Sequence, residues 1–212
     1  YHCAMKERFG LYLIATNPTA GYEAVAKAAV ECSIRYLQLR MKDTSREVYI
    51  HTAALLREIT RGSRTRLIVN DDLDVAIAVD ADGVHLGQAD MSVAEARQRW
   101  NTPGKIFGLS THSIEQAGKA ADLQPDYIGI GPVYPTKTKR NAAHPLGPEE
   151  AGRIASQTPI TSVAIGGIDA HNLPVLLNAG IDNYCVVSAV NSRPDPLIAI
   201  QELQKIWKPH VF

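Results

Sequence analysis

The sequence predicts one α/β domain closed as a (β/α)8 TIM barrel, and three observations predict it. Eight short apolar runs alternate with eight helical segments, about one pair per 26 residues, across a chain of 212 residues. The runs are close to continuously apolar, as in Cys185-Val186-Val187, which suits strands buried on both faces of a parallel sheet. Polar and charged residues gather where the runs end, which is where barrels of this kind carry their chemistry. A doubly wound open sheet is the alternative. However, no Gly-x-Gly-x-x-Gly follows the first run and no linker splits the chain, so a single domain over residues 1–212 is expected.

Taken in order, residues 11–16 read as the first strand. Lys6 and Arg8 ahead of it faintly imitate a secretion signal, but Glu7 and the lack of a small-residue cleavage pattern favour a strand. Residues 22–31 form a helix with Val25, Ala28 and Ala29 on one face, and residues 36–40 form the second strand. Thr44 followed by Glu47 predicts a capping box. Val48, Thr52, Leu55 and Ile59 then recur at helical spacing until Gly62 closes the element. The third strand, Leu67-Ile68-Val69, breaks into Asn70-Asp71-Asp72, and the fourth, Val84-His85-Leu86, breaks into Gly87-Gln88-Ala89-Asp90. Residues 73–79 between them leave room for about two helical turns. Ser92 with Glu95 and Ser113 with Gln116 repeat the capping signal, opening helices to Trp100 and Asp122 on either side of a strand at residues 106–109. The sixth strand, residues 127–130, runs into a Pro-, Thr- and Lys-rich loop that lasts to Pro148. Helix 149–156, strand 161–165, helix 172–179, strand 184–187 and helix 197–207 complete the pattern.

Composition excludes several classes of function. The 22 basic and 22 acidic residues cancel and are dispersed, and the small excess at Lys137, Lys139 and Arg140 is no nucleic-acid or membrane footprint. Cys3, Cys32 and Cys185 are odd in number, far apart and without a Cys-x-x-Cys. That argues against a disulfide framework and a zinc site, and a reducing cytoplasm is the compartment expected. No apolar run reaches the roughly 18 residues needed to span a bilayer.

Adjacent strands lie about 4.8 Å apart, so Asp71 and Asp90, on the ends of consecutive strands, can reach one hard cation. The competing reading makes Asp71 or Asp72 a helix cap and Asp90 a turn residue. In Gln38-Leu39-Arg40-Met41-Lys42, alternation sends Gln38, Arg40 and Lys42 to one side. Three polar residues there are costly to bury unless they meet an anion, or pair with the strand-three carboxylates. Ser110-Thr111-His112 also suits ordinary helix entry. After strand six, Thr136 and Thr138 interleave with Lys137, Lys139 and Arg140, offering the hydroxyls and cations that phosphate oxygens need. Gly166-Gly167 and Val187-Ser188-Ala189 follow strands seven and eight, the usual phosphate site of a barrel. The seven histidines lack metal-ligand spacing: His85 reads as a satisfied core residue and the others as surface, tail or turn residues. With no Ser-His-Asp order, the pattern points to anion handling rather than covalent catalysis.

These residues, in this order across residues 11–190, resemble the thiamin phosphate synthase family. The resemblance implies a Mg2+-assisted transferase that joins hydroxymethylpyrimidine diphosphate to thiazole phosphate and releases pyrophosphate. By similarity, Gln38, Leu39, Arg40, Met41, Lys42, Asn70 and Lys139 hold the pyrimidine diphosphate, and Asp71 and Asp90 bind Mg2+. Ser110 contacts the pyrimidine near the reacting bond, so that Ser110 and Lys139 are the catalytic candidates. Thr136, Lys137, Thr138, Gly167, Val187 and Ser188 hold the thiazole phosphate. Met41 stands where many relatives carry an acid, and Asn141 where an aspartate is common. Two rivals share the barrel. A thiazole tautomerase-like isomerase needs a proton-transfer histidine where Pro132 stands; a non-catalytic ligand-binding homologue is disfavoured by the intact carboxylates and lysine loop.

Overall fold

The computed structural model describes residues 6–138 and 143–208. Its elements are β1 (Leu11–Ala15), α1 (Tyr22–Glu31), β2 (Tyr36–Leu39), α2 (Arg46–Thr60), β3 (Arg66–Asn70), α3 (Leu73–Ala78), β4 (Gly83–Leu86) and α4 (Val93–Arg99). They continue as β5 (Ile106–Thr111), α5 (Ile114–Leu123), β6 (Tyr127–Ile130), α6 (Pro148–Gln157), β7 (Thr161–Ile165), α7 (Leu173–Asn178), β8 (Tyr184–Val186), α8 (Ser188–Asn191) and α9 (Pro196–Trp207). The eight strands pair in parallel, in sequence order, and close into the expected barrel when β8 meets β1 through Leu11↔Tyr184 and Leu13↔Val186.

Period-two alternation divides each strand between two layers. Leu11, Leu13, Leu37, Leu39, Val69, Val84 and Ile128 face the helices and join the large outer core. Tyr12, Ile14, Tyr36, Ile68, Tyr127, Val163 and Cys185 fill the barrel interior as a separate cluster. Three tyrosine rings, Tyr12, Tyr36 and Tyr127, lie within 5.6 Å of one another between centroids and form a floor. Above this floor the inward columns turn polar, with Gln38 following Tyr36 and Asn70 following Ile68 toward the carboxyl end.

Four local expectations are corrected. The N-cap of α2 is Ser45, whose Oγ accepts from Val48 N at 3.3 Å, rather than Thr44. The buried stripe of that helix is Tyr49, Ala53, Leu56 and Thr60, one position along from the expected one, and leaves Val48 48% and Leu55 39% exposed. Strand β5 runs two residues further, to Thr111. A separate short α8 also precedes the closing helix. The caps at Ser92 and Ser113 are as expected.

Asn183, buried at the amino end of the seam, ties the closure together. Its Oδ1 accepts from Phe9 N at 2.7 Å and Gly10 N at 3.1 Å, while Nδ2 donates to Glu7 O at 2.8 Å and Ser162 O at 3.2 Å. Replacing it with alanine strands several backbone groups, so Asn183→Ala is expected to cost about 3 kcal/mol in urea unfolding. A loss below about 1 kcal/mol would contradict that role.

Candidate active site

A cavity of about 470 Å³ opens at the carboxyl end of the barrel. Gln38, Asn70, His85 and Ser110 reach it because each occupies an inward position of its strand, Gln38 and Asn70 two residues beyond Tyr36 and Ile68 and His85 stacked on the Tyr127 ring at 5.5 Å. Arg40 and Lys42 continue the inward column of β2 past its end and also line it. Leu39 points the other way, fully buried in the outer core, and its carbonyl accepts from Tyr49 Oη at 3.0 Å. Met41 packs against that core and lines a neighbouring cavity with Tyr49, Met91 and Arg99. Neither side chain reaches the main cavity.

The two readings of the strand-three carboxylates are both realised, by different residues. Asp72 caps α3, its Oδ1 accepting from Val75 N at 3.0 Å. That leaves Asp71 to the cavity, with its backbone in the left-handed region at φ 63 and its N–H donating to His85 O at 2.8 Å. Such a conformation costs on the order of 1 kcal/mol in a non-glycine residue, though aspartate tolerates it better than most. Asp90 likewise closes a turn, with Oδ2 accepting from Gly87 N at 2.6 Å, while lining the same cavity.

Lys42 Nζ forms an ion pair with Asp71 Oδ2. Asp90 is exposed at the cavity rim, yet its carboxyl is held above the usual aspartate range. Partial burial is the main cause and the nearby Asp71 carboxylate adds to it, against the opposing pull of Gly87 N–H and Lys42. An Asp90 carboxyl raised in part by its neighbour Asp71, with Lys42 set against Asp71, suits a cation between the two carboxylates. Among the described residues no three His, Cys, Asp or Glu side chains form a metal cage. A two-carboxylate site of this kind suits Mg2+, which keeps waters and takes its other ligands from substrate phosphates.

On the opposite arc, Thr136 and Thr138 from the β6 loop, Gly166 and Gly167 after β7, and Val187 and Ser188 after β8 line the same cavity. The loop is pinned to β7 by Val133 N donating to Ile165 O at 2.8 Å and Tyr134 N to Gly166 O at 3.0 Å. Lys137 is exposed and does not line the cavity. Lys139, Arg140 and Asn141 lie outside the described residues.

Sequence reasoning missed two histidines. His85 lines the cavity, with Nδ1 3.0 Å from Tyr127 Oη and Nε2 2.9 Å from Ser110 Oγ, so it is satisfied as expected but belongs to the site. His112, expected as a turn residue, also lines the cavity, with Nδ1 2.7 Å from Gly131 O. The signal for His85 was its place between Val84 and Leu86, where alternation makes a lone polar residue face inward. Gln88 was missed too; its Nε2 donates to Ser110 O at 2.6 Å and holds that strand end.

Fold and site together define a (β/α)8-barrel enzyme whose one mouth combines a carboxylate pair, cations and a glycine-hydroxyl arc suited to anions. The sequence pattern of thiamine monophosphate synthase matches residues 11–190. The chain belongs to that family, and the family's activity makes it a transferase. It is 36% identical over 203 residues to thiamine-phosphate synthase of Desulfitobacterium hafniense, covering 94% of this chain and 98% of that protein. The Geobacillus thermodenitrificans thiamine-phosphate synthase is 39% identical over 205 residues, with 94% and 92% covered. Among solved structures, thiamine phosphate pyrophosphorylase from Pyrococcus furiosus superposes with a TM-score of 0.85 at 35% identity, covering 96% and 98% of the two chains. A 3-hexulose-6-phosphate synthase, TM-score 0.64 at 15% identity, shares the fold alone.

Proposed function

We propose that this barrel joins an aminopyrimidine methyl diphosphate to a thiazole phosphate by a substitution in which the bond to pyrophosphate breaks first. The observation that carries this reading is the single cavity whose β2–β5 side presents Arg40, Lys42, Asn70, Asp71 and Asp90, and whose β6–β8 side presents Thr136, Thr138, Gly167 and Ser188. Two anions of different shape therefore have two places in one mouth.

On the first side, Gln38 and Ser110 contact the pyrimidine, and Arg40, Lys42 and Asn70 hold its diphosphate, to which the family resemblance adds Lys139. Asp71 and Asp90 hold Mg2+, which when bound neutralises charge on the leaving oxygens. Lys42, now paired with Asp71, exchanges that partner for the diphosphate when the metal arrives; half-exposed pairs of this sort are weak enough to swap. The carbon–oxygen bond breaks with its electron pair leaving on the diphosphate, and the ring amino group shares the positive charge left on the methylene. The thiazole nitrogen, held in line by its phosphate on the second side, then gives its lone pair to that carbon. No covalent enzyme intermediate is required. The chain acts as one domain in the cytoplasm on small phosphorylated molecules, without nucleic acid or membrane. The dispersed charge supports this; no helix among the described residues is long and apolar enough to cross a membrane.

Positional isotope exchange tests the order of events. Substrate labelled with heavy oxygen at the bridging position, held with an unreactive thiazole analogue and Mg2+, is expected to scramble label into non-bridging oxygens. Lys139→Ala should slow scrambling and turnover together. Normal turnover without scrambling, with the analogue shown to be bound, supports a concerted displacement instead.

The raised carboxyl of Asp90 has a pH consequence. It takes up a proton at a higher pH than an ordinary aspartate, and only the carboxylate binds metal, so the Mg2+ needed for half-maximal turnover should rise as pH falls, and at a higher pH than an unperturbed aspartate would give. Asp90→Asn retains the substrate's own titration and loses this part of the slope. Equal slopes in the two proteins would contradict the assignment of Asp90 to the metal.

A further inference from the structure

Beneath the cavity, five side chains from five strands form one unbroken hydrogen-bonded chain. Gln38 Nε2 on β2 donates to Tyr12 Oη on β1 at 2.8 Å, and Tyr12 Oη lies 2.7 Å from Tyr127 Oη on β6. Tyr127 Oη lies 3.0 Å from His85 Nδ1 on β4, and His85 Nε2 lies 2.9 Å from Ser110 Oγ on β5. Both ends, Gln38 and Ser110, line the cavity, whereas Tyr12 and Tyr127 are buried beneath it. Burial holds both phenols well above their ordinary ionisation range, so each keeps one proton to donate.

With the Gln38 amide turned so that Nε2 faces Tyr12, counting donors sets the direction of every link. Tyr12 Oη accepts from Gln38, so its single proton goes to Tyr127. The proton of Tyr127 then goes to His85 Nδ1, which must be the bare nitrogen of a neutral imidazole. The ring proton therefore sits on Nε2 and is donated to Ser110 Oγ, which leaves the serine's own proton for the cavity. Run the other way, Tyr12 would accept from both Gln38 and Tyr127. Its own O–H, on a residue only 2% exposed, would then have no acceptor, a desolvation cost of about 1 to 3 kcal/mol.

We propose that Tyr127 is a positioning residue which, acting through the Nε2–H tautomer of His85, fixes Ser110 as a hydrogen-bond donor to the pyrimidine while Gln38 is fixed as an acceptor. The ring nitrogens of an aminopyrimidine accept and its amino group donates, so a donor on β5 and an acceptor on β2 form the complementary set. Gly108 has its place in this arrangement. A Cβ there would fall against the Tyr127 ring and within 2.6 Å of His85 Nδ1, so glycine keeps the central link open. The substrate part of the inference rests on the reading given under Proposed function, whereas the tautomer does not.

Two measurements test it. In the full-length protein carrying 15N-histidine, long-range proton–nitrogen correlation reads the tautomer of each neutral imidazole, and the His85 signals are those absent from His85→Gln. A bare Nδ1 and a protonated Nε2 are expected without any substrate; a protonated Nδ1 overturns the proposal. Steady-state kinetics then compare Tyr127→Phe, Ser110→Ala and the double variant. Tyr127→Phe should raise KM for the pyrimidine diphosphate about tenfold with that for the thiazole phosphate unchanged. In the Ser110→Ala background it should add less than about twofold. Additive losses, or equal losses for both substrates, mean that Tyr127 merely supports the barrel and overturn the positioning role. If Tyr127→Phe does not fold, the tautomer in the unsubstituted protein decides the matter. If no variant and no parent protein turns substrate over, the functional reading fails and the tautomer result is unaffected.

Discussion

Asp71→Asn is expected to lower turnover about 100- to 1000-fold at saturating Mg2+ and both substrates, with no more than a small change in thermal stability. The two halves of that expectation have separate causes. Asparagine also tolerates the left-handed backbone that Asp71 adopts at φ 63, and its N–H can still donate to His85 O, so the strand end keeps its shape. What disappears is one of the two negative charges proposed to hold Mg2+, together with the partner of Lys42. Asp72 next door cannot substitute, because its carboxylate is committed to the α3 cap and to Arg46 at 3.0 Å. Steady-state rates and a thermal melt on one preparation check both halves. A rate loss below tenfold would remove Asp71 from the metal site.

Gly167→Val is expected to raise KM for the thiazole phosphate more than tenfold and to destabilise the protein by about 2 to 4 kcal/mol. Gly167 sits at φ 63, and a Cβ there would approach Pro135 O to 2.5 Å and Tyr134 Cβ to 2.9 Å. The new side chain therefore meets the β6 loop rather than the cavity, and acts by displacing Thr136 and Thr138 from the phosphate's arc. Arg40→Ala is the control on the other side, where the loss should fall mainly on the pyrimidine diphosphate. Equal losses for both substrates in both variants would contradict two separate anion places.

The barrel was legible because its strands are nearly continuous apolar runs whose ends change abruptly to polar residues, a signal that side-chain detail does not disturb. The face of α2 was not. Residues 48, 52, 55 and 59 and residues 49, 53, 56 and 60 have the same helical spacing, and the first, more apolar series leaves Val48 and Leu55 toward solvent with only Ile59 packed at the edge of the core. Tyr49 faces inward because its hydroxyl reaches Leu39 O at 3.0 Å and Asn70 O at 2.9 Å, contacts between elements that spacing along one helix cannot express. The same limit applies in the site. Asp71, Asp90, Gln38 and Arg40 were legible from strand ends and alternation and Ser110 only through the family resemblance, whereas the division of labour between Asp71 and Asp72 depends on a single left-handed residue. The link from His85 to Ser110 joins residues 25 apart, visible only once β4 lies beside β5. Leu39 was placed in the site by resemblance, although its outward position on β2 puts the side chain in the outer core.

The central claim is that one cavity holds both phosphorylated substrates and a metal and joins them with loss of pyrophosphate. Product release from the purified protein, followed with pyrophosphate and thiamin phosphate quantified in the same samples, tests it most directly. The account predicts equal amounts of the two products, formed only when the pyrimidine diphosphate, the thiazole phosphate and Mg2+ are all present, and lost together in Asp71→Asn. Pyrophosphate appearing at the full rate without the thiazole phosphate, or neither product appearing with all three present, would contradict it.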